Sequence, residues 1–301
     1  MSKTDFPRIL IVIGKGGVGK STVTLALGMA AADRGLNTIL VETNGCTSVP
    51  RMVGKPSLGY KPLKIGPNLH TLSVTPREAI QEYVVQQLKF QTLYRLIFEN
   101  RIMLPLLQGA PGLHDAVQIG KVYDLSRSGD WDLVIVDSPA TGHGLSMLNA
   151  PSTLKDLTRV GPIYQSNLEV EQALHDPDLC GLVLVTLLED LPVSETLGLW
   201  SQLPPKRREQ CRVCVQNRVL DPPVNSSDWN ALSDAHPGTP TLERLYEYTD
   251  RLLETYSRQR ILGKELEDGL PLPFWHTPWL QASPDTSWRQ QGERILESFK
   301  P

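Results

Sequence analysis

A chain of 301 residues is long enough to bury the core of a three-layer domain, and its 40% hydrophobic and 21% charged content is ordinary for a globular protein. With 30 Lys and Arg against 33 Asp and Glu, the formal net charge of −3 gives no overall attraction to nucleic acid or to an anionic membrane. No stretch approaches the roughly 20 apolar residues of a membrane span, and the N-terminus does not read as a secretory leader, so a cytoplasmic location is expected.

The apolar run Arg8–Ile13 predicts a first, buried strand, and Ser21 to Arg34 predicts a helix. Between them lies Gly14-Lys15-Gly16-Gly17-Val18-Gly19-Lys20-Ser21-Thr22, in which Gly14, Gly19, Lys20 and Ser21 fill the G-x-x-x-x-G-K-[ST] pattern. Strand, glycine-rich loop and helix in this order form a phosphate cradle. The glycines let backbone N–H groups approach an anion, and the helix N-terminus adds its partial positive charge. Lys20 then meets the β- and γ-phosphates, and the Ser21 hydroxyl is suited to Mg²⁺. The expected ligand is a nucleoside triphosphate. Lys15 is a second lysine that such a loop does not need.

Further along, strands are predicted at Asn37–Glu42 and Leu69–Val74, followed by a helical region from Thr75 to about Gln108, broken near Pro105. Asp132–Asp137 reads as a buried strand ending in a carboxylate, the place where doubly wound sheets put ligand-binding groups. Asp137 is therefore the candidate acid for the Mg²⁺ shell. Gly181–Thr186 and Arg212–Gln216 are two more strands. Lys206-Arg207-Arg208 reads as a solvated basic loop. The Pro-, Ser-, Asn- and Asp-rich stretch at about 221–240 is expected to be a mobile loop. A helix from Thr241 to about Leu262 and a strand-like piece at Leu270–Phe274 close the series. Alternating strands and helices predict an α/β fold with a doubly wound, mostly parallel sheet flanked by helices.

The four cysteines, Cys46, Cys180, Cys211 and Cys214, suit a reducing compartment. Cys211 and Cys214 have zinc-ligand spacing, but no second pair completes a site, and on a strand residues three apart face opposite sides. Structural cysteines are expected. At the C-terminus, Trp288, Ile295, Leu296 and Phe299 form an apolar stripe at helical spacing, either packed on the parent domain or lying on a membrane surface.

Lys15-Gly-Gly-Val-Gly-Lys-Ser resembles the deviant Walker A loop of the partition, Min, nitrogenase iron protein and arsenical-pump ATPases. Asp137-Ser-Pro-Ala-Thr-Gly-His143-Gly144 resembles the switch segment of the arsenical-pump ATPase family, which includes the ATPase that guides tail-anchored proteins. Its usual form there is Asp-Thr-Ala-Pro-Thr-Gly-His-Thr. Ala110-Pro-Gly-Leu-His-Asp115 and Thr186–Thr196, with Glu189, Val193 and Glu195, resemble further segments of the same family.

The resemblance implies a single P-loop ATPase domain over residues 1–301, with a helical subdomain at about 75–128. It implies that ATP and Mg²⁺ are bound, that Lys15 acts across a dimer interface, and that Asn217 reads the adenine edge, with Leu270–Phe274 near the segment that closes over the base. One feature departs from the family. Its first switch reads Asp-Pro-Ala-His, whereas here Glu42-Thr-Asn44-Gly places Asn44 where the water-orienting Asp stands. An amide cannot accept a proton as a carboxylate does. Three readings follow. One is an ATPase dimer, with itself or with a paralogue, serving a hydrophobic client or membrane-protein partner. A second is a weakly hydrolysing scaffold, and a third a membrane-surface positioning ATPase. Glu42 either stands in at the metal or water, or is a solvated carboxylate.

Overall fold

The computed structural model describes residues 6–43, 45–56, 59–88, 112–158, 160–221, 226–235, 240–278 and 286–299. Asn44 and most of the expected 75–108 helical region lie outside the described residues. The strands are β1 (Ile9–Ile13), β2 (Thr38–Glu42), β3 (Leu63–Gly66), β4 (Leu69–Ser73), β5 (Leu133–Asp137), β6 (Cys180–Leu187), β7 (Cys211–Val219) and β8 (Phe274–Pro278). They form one sheet in the order β3-β4-β2-β5-β1-β6-β7-β8, parallel except for the β3–β4 pair. β1, β2, β5 and β6 are buried at every residue, which is why they read as continuous apolar runs rather than alternating ones.

Helices cover both faces. On one lie α1 (Lys20–Asp33), the short α2 (Ser48–Met52) and, completing the layer, the C-terminal helix Thr286–Glu297. On the other lie α3 (Pro76–Leu88), α4 (Leu113–Arg127), α5 (Thr141–Thr158), α6 (Pro162–His175) and α7 (Asp190–Gln202). α8 (Pro205–Gln210) and α9 (Ser226–Ala235) follow, and α10 (Pro240–Gly269) returns to that second layer, so the C-terminal helix is α11. β1 has β5 on one side and β6 on the other. The winding therefore reverses at β1, and the loop Gly14–Gly19 emerges at the switch point where such sheets bind ligands.

Four sequence expectations need correction. Arg207 does not lie in a solvated loop. It is 2% exposed on α8, donating to the Leu148 carbonyl at 3.1 Å, to Gln210 Oε1 at 3.1 Å and to the Leu174 carbonyl. Leu174 O is an orphan carbonyl in the last turn of α6, and a guanidinium is the side chain best able to satisfy several such acceptors at once.

Cys211 and Cys214 do not face opposite sides. An irregularity at Arg212 shifts the β6–β7 register, and both thiols join Cys180 in the same core layer. Burial pushes all three up to about 12, so they are neutral thiols. Among the described residues no group of three or more His, Cys, Asp or Glu side chains is placed to hold a metal ion.

Within the stretch expected as a loop, residues 226–235 form α9. Its Trp229 is buried and donates Nε1–H to Asp250 at 2.7 Å. The last strand begins at Phe274 rather than Leu270, because Pro271 and Pro273 cannot donate to a ladder.

The C-terminal stripe packs inward. Trp288, Ile295, Leu296 and Phe299 are buried against the α1 layer, with Arg34 gripping both oxygens of Glu293 at 2.9 and 2.8 Å. The helices approach so closely that a Cβ on Gly292 would stand 2.0 Å from the Ala26 carbonyl oxygen. Gly292→Ala is thus expected to destabilise the protein by about 1–3 kcal/mol through overpacking. Gly198, in α7 with nothing near its missing Cβ, should respond to Ala with a gain of about 0.5–1 kcal/mol. Urea midpoints of the two variants check the sign, and equal shifts would contradict the close approach.

Candidate nucleotide site

The phosphate loop is confined at both ends, by the β6 backbone at Gly14 and by the Asn217 side chain at Gly19. A Cβ on Gly14 would come within 2.2 Å of the Val185 carbonyl oxygen on β6, and Gly19 holds φ at +97°. Gly17 is also left-handed at +86°, so the loop needs glycine for its conformation as well as for its space. Gly16 faces Ala140, the Val18 side chain is buried in the α1 layer, and Thr22 follows in the first turn of α1.

Lys20 is folded back over the loop, its Nζ donating to the carbonyls of Gly14 at 3.0 Å and Lys15 at 2.9 Å. Burial lowers its pKa, while the charges of Asp137 and Cys46 work against that shift. Two neutral carbonyls are weak partners for a half-buried ammonium, so an arriving phosphate offers it the stronger, charge-assisted bond.

Asp137 ends β5 beside the loop and accepts from Ser21 Oγ at 2.5 Å through Oδ2. Its other oxygen, Oδ1, is buried without a hydrogen-bond partner. Burial raises the Asp137 pKa, offset by the Ser21 bond and the Lys20 charge. On the neighbouring strand Glu42 sits in direct register with Asp137 and is fully buried, not solvated. Its Oε1 accepts from the backbone N–H groups of Ser48 at 2.5 Å and Val49 at 3.1 Å, and its Oε2 has no partner. Burial pushes the Glu42 carboxyl up to about 7, against those two hydrogen bonds. The Ser21 hydroxyl and the orphaned Asp137 oxygen are hard oxygen donors of the kind Mg²⁺ takes.

Asn217 lies near the end of β7, against the loop. Its Nδ2 donates to Val18 O at 2.9 Å, and its Oδ1 accepts from Thr277 Oγ1 at 2.8 Å and from Arg218 N at 3.0 Å. Both acceptor lone pairs are engaged, so a base edge is offered only the second Nδ2–H. Gln259 on α10 braces the turn that follows, accepting from Leu220 N at 2.8 Å and donating to Arg218 O at 3.2 Å, with Arg218 held at φ +57°. No sequence signal marked Gln259 or Thr277.

Lys15, the extra lysine, pairs within the same chain with Glu195 of α7 at 2.9 Å. The fold thus brings together residues Gly14–Thr22, Asp137 and Asn217, and adds Glu42, Glu195 and Thr277. Asn44 is outside the described residues.

Residues 7–166 match the family described as anion-transporting ATPase. ATPase BagA of Mycobacterium tuberculosis is 32% identical over 219 residues, covering 67% of this chain and 62% of the relative. The ATPase ASNA1 homolog of Entamoeba dispar is 28% identical over 255 residues, covering 72% and 77%. A putative arsenical pump-driving ATPase of Prosthecochloris vibrioformis is 28% identical over 148 residues, covering 49% and 36%. The chain therefore spans about six-tenths of the length of the mycobacterial relative.

Because Asn217 bonds three groups, two of them buried, Asn217→Ala should cost about 2–4 kcal/mol without any nucleotide present. A side chain that served only to read a base would leave ligand-free stability unchanged, and an unfolding midpoint within 1 kcal/mol of the parent would reject the bracing role.

Proposed function

The chain belongs to the anion-transporting ATPase family, and on that premise we propose that it binds and hydrolyses ATP with Mg²⁺ as a nucleotide-switched dimer coupled to a hydrophobic client or membrane-protein partner. The observation that carries the reading is the hydrogen bond from Ser21 to Asp137, with the second Asp137 oxygen left unpaired among the described residues and Lys20 folded over the loop. Loop amides and the α1 N-terminus cradle the phosphates, and Lys20 moves from the Gly14 and Lys15 carbonyls to the β- and γ-phosphates. Ser21 and Asp137 hold Mg²⁺, which when bound neutralises charge on those phosphates. Asn217 keeps the base-side turn against the loop and offers its remaining N–H to the adenine. No helix among the described residues is long and apolar enough to cross a membrane. We place the protein in the cytoplasm, in keeping with its four free cysteines.

The switch segment continues into α5, and Ser146 of that helix donates to Asp115 of α4 at 2.7 Å. Farther along α5, Ser152 and Lys155 both bind Glu171 of α6 at 2.6 Å. The far half of α5 is anchored, and Pro151 breaks its hydrogen-bond ladder between the two ends. Loss of the γ-phosphate at Asp137–Gly144 thereby reaches α4 and the helical subdomain.

Dimer closure takes Lys15 from Glu195 to the partner's nucleotide. A partly exposed pair of this kind is worth about 0.2–1 kcal/mol, which a phosphate contact exceeds. Glu195→Gln should therefore tighten the ATP-bound dimer a few-fold and leave the nucleotide-free state unchanged, as read by sedimentation. A weaker ATP-bound dimer would instead make Glu195 an interface residue and reject the release of Lys15.

Steady-state Mg²⁺-dependent ATP turnover, measured beside Lys15→Ala, Lys20→Ala and Asn44→Asp, tests the main reading. Turnover that rises with protein concentration and disappears in both lysine variants is the expected result for a homodimer. Tight ATP binding without turnover, rescued by Asn44→Asp, would replace it with a scaffold subunit awaiting a paralogue, the alternative that Asn44 favours. The membrane-surface alternative has lost its stripe to the α1 interface.

A further inference from the structure

Resting on the ATPase reading above, we propose that Glu42 accepts the proton of the water that attacks the γ-phosphate, replacing the carboxylate absent at Asn44. A fully buried glutamate is rare unless it is paired, and this one is half paired. Its Oε1 is accounted for by the backbone N–H groups of Ser48 and Val49. Its Oε2 is buried and accepts nothing from the described residues. A cap for α2 needs only one oxygen, and Thr47, Ser or Asp at the helix start is the usual source, so capping explains half of the side chain and leaves the other half at a cost.

The position of that free oxygen is informative. Glu42 lies beside Asp137 in the β2–β5 register, at the end of the sheet where the phosphate loop emerges. Thr43, the next residue, is tied to β5 through its hydroxyl on the Asp137 carbonyl at 3.2 Å. The strand end, and with it Glu42, is thus fixed relative to the metal carboxylate. Asp137 already binds Ser21, leaving its second oxygen for the cation. Among the described residues, Glu42 Oε2 is then the buried carboxylate oxygen at this sheet end that has neither a donor nor an assigned ligand. A water held between it and the γ-phosphate satisfies it.

The step balances without a further reagent. The water oxygen bonds the γ-phosphorus as the bond from that phosphorus to the β–γ bridging oxygen breaks. ADP departs with the electron pair, and the water proton passes to Glu42 Oε2. The carboxyl later returns that proton to solvent.

Glu42→Gln tests this because a glutamine retains an oxygen for Ser48 and Val49 but accepts no proton. Turnover should fall about 100-fold, the usual worth of a positioned base, while the ATP dissociation constant, the Mg²⁺ half-saturation and the unfolding midpoint stay within about twofold. The double variant Glu42→Gln/Asn44→Asp, which returns the carboxylate to the neighbouring position, should recover most of the lost turnover. Unchanged turnover in Glu42→Gln would overturn the assignment. So would a loss accompanied by weaker Mg²⁺ dependence or a lower midpoint and not recovered in the double variant, since that pattern belongs to a metal ligand or a cap. Absent turnover in the parent protein would instead reject the ATPase reading itself.

Discussion

Neither end of the phosphate loop has room for a side chain, and much of the molecule is arranged around that confinement. Gly14 is pressed against the β6 backbone and Gly19 against the Asn217 amide, whose Nδ2 would lie 2.1 Å from an added Cβ. Strands β6 and β7 therefore serve as the wall that shapes the loop, and β7 in turn is held by β8 through Asn217 and Thr277. The Gly14 contact is with backbone, which cannot yield by changing rotamer, and the Gly19 contact is with a side-chain amide that its bonds to Val18 O, Arg218 N and Thr277 Oγ1 hold in place.

The same end of the sheet concentrates charge in a place that disfavours it. Glu42 and Asp137 are both buried, both have raised pKa values, and each leaves one oxygen unsatisfied. Lys20 is drawn toward neutrality by the same burial. Stability alone does not explain two unpaired carboxylate oxygens, since apolar residues of similar size would pack there at less cost. A polyanion with its cation, entering between Lys20 and the two acids, gives every one of these groups a partner of opposite sign or a hydrogen bond.

How much of this was legible follows from the range over which each signal acts. The buried strands and the loop between β1 and α1 were readable because their determinants are consecutive residues: apolar runs, and glycines at fixed spacing. Asp137 was readable as a carboxylate at the end of such a run. The Lys15–Glu195 pair joins residues 180 positions apart, and nothing local to either one announces it. Arg207 illustrates the converse error. Between Lys206 and Arg208 it looks like one of a solvated triplet, yet helical geometry turns the middle residue inward to carbonyls on α5 and α6. The register shift at Arg212 defeated the alternation rule for Cys211 and Cys214 for a related reason, since one extra residue inverts the facing of everything after it.

The C-terminal helix shows why an amphipathic stripe alone does not identify a membrane surface. α1 carries buried residues from Val23 through Ala32 without a break, so it needs cover on the side away from the sheet as well as on the sheet itself. α11 supplies it through Trp288, Ile295 and Leu296, and the glycine at 292 brings the two backbones together. The charges fit as closely as the apolar groups, with Arg34 on Glu293 and Arg289 on Asp33 flanking the seam. Lifting α11 onto a lipid surface would uncover the helix whose N-terminus forms the phosphate site. One face cannot serve both partners at once, and burial of α1 is the demand that this fold meets.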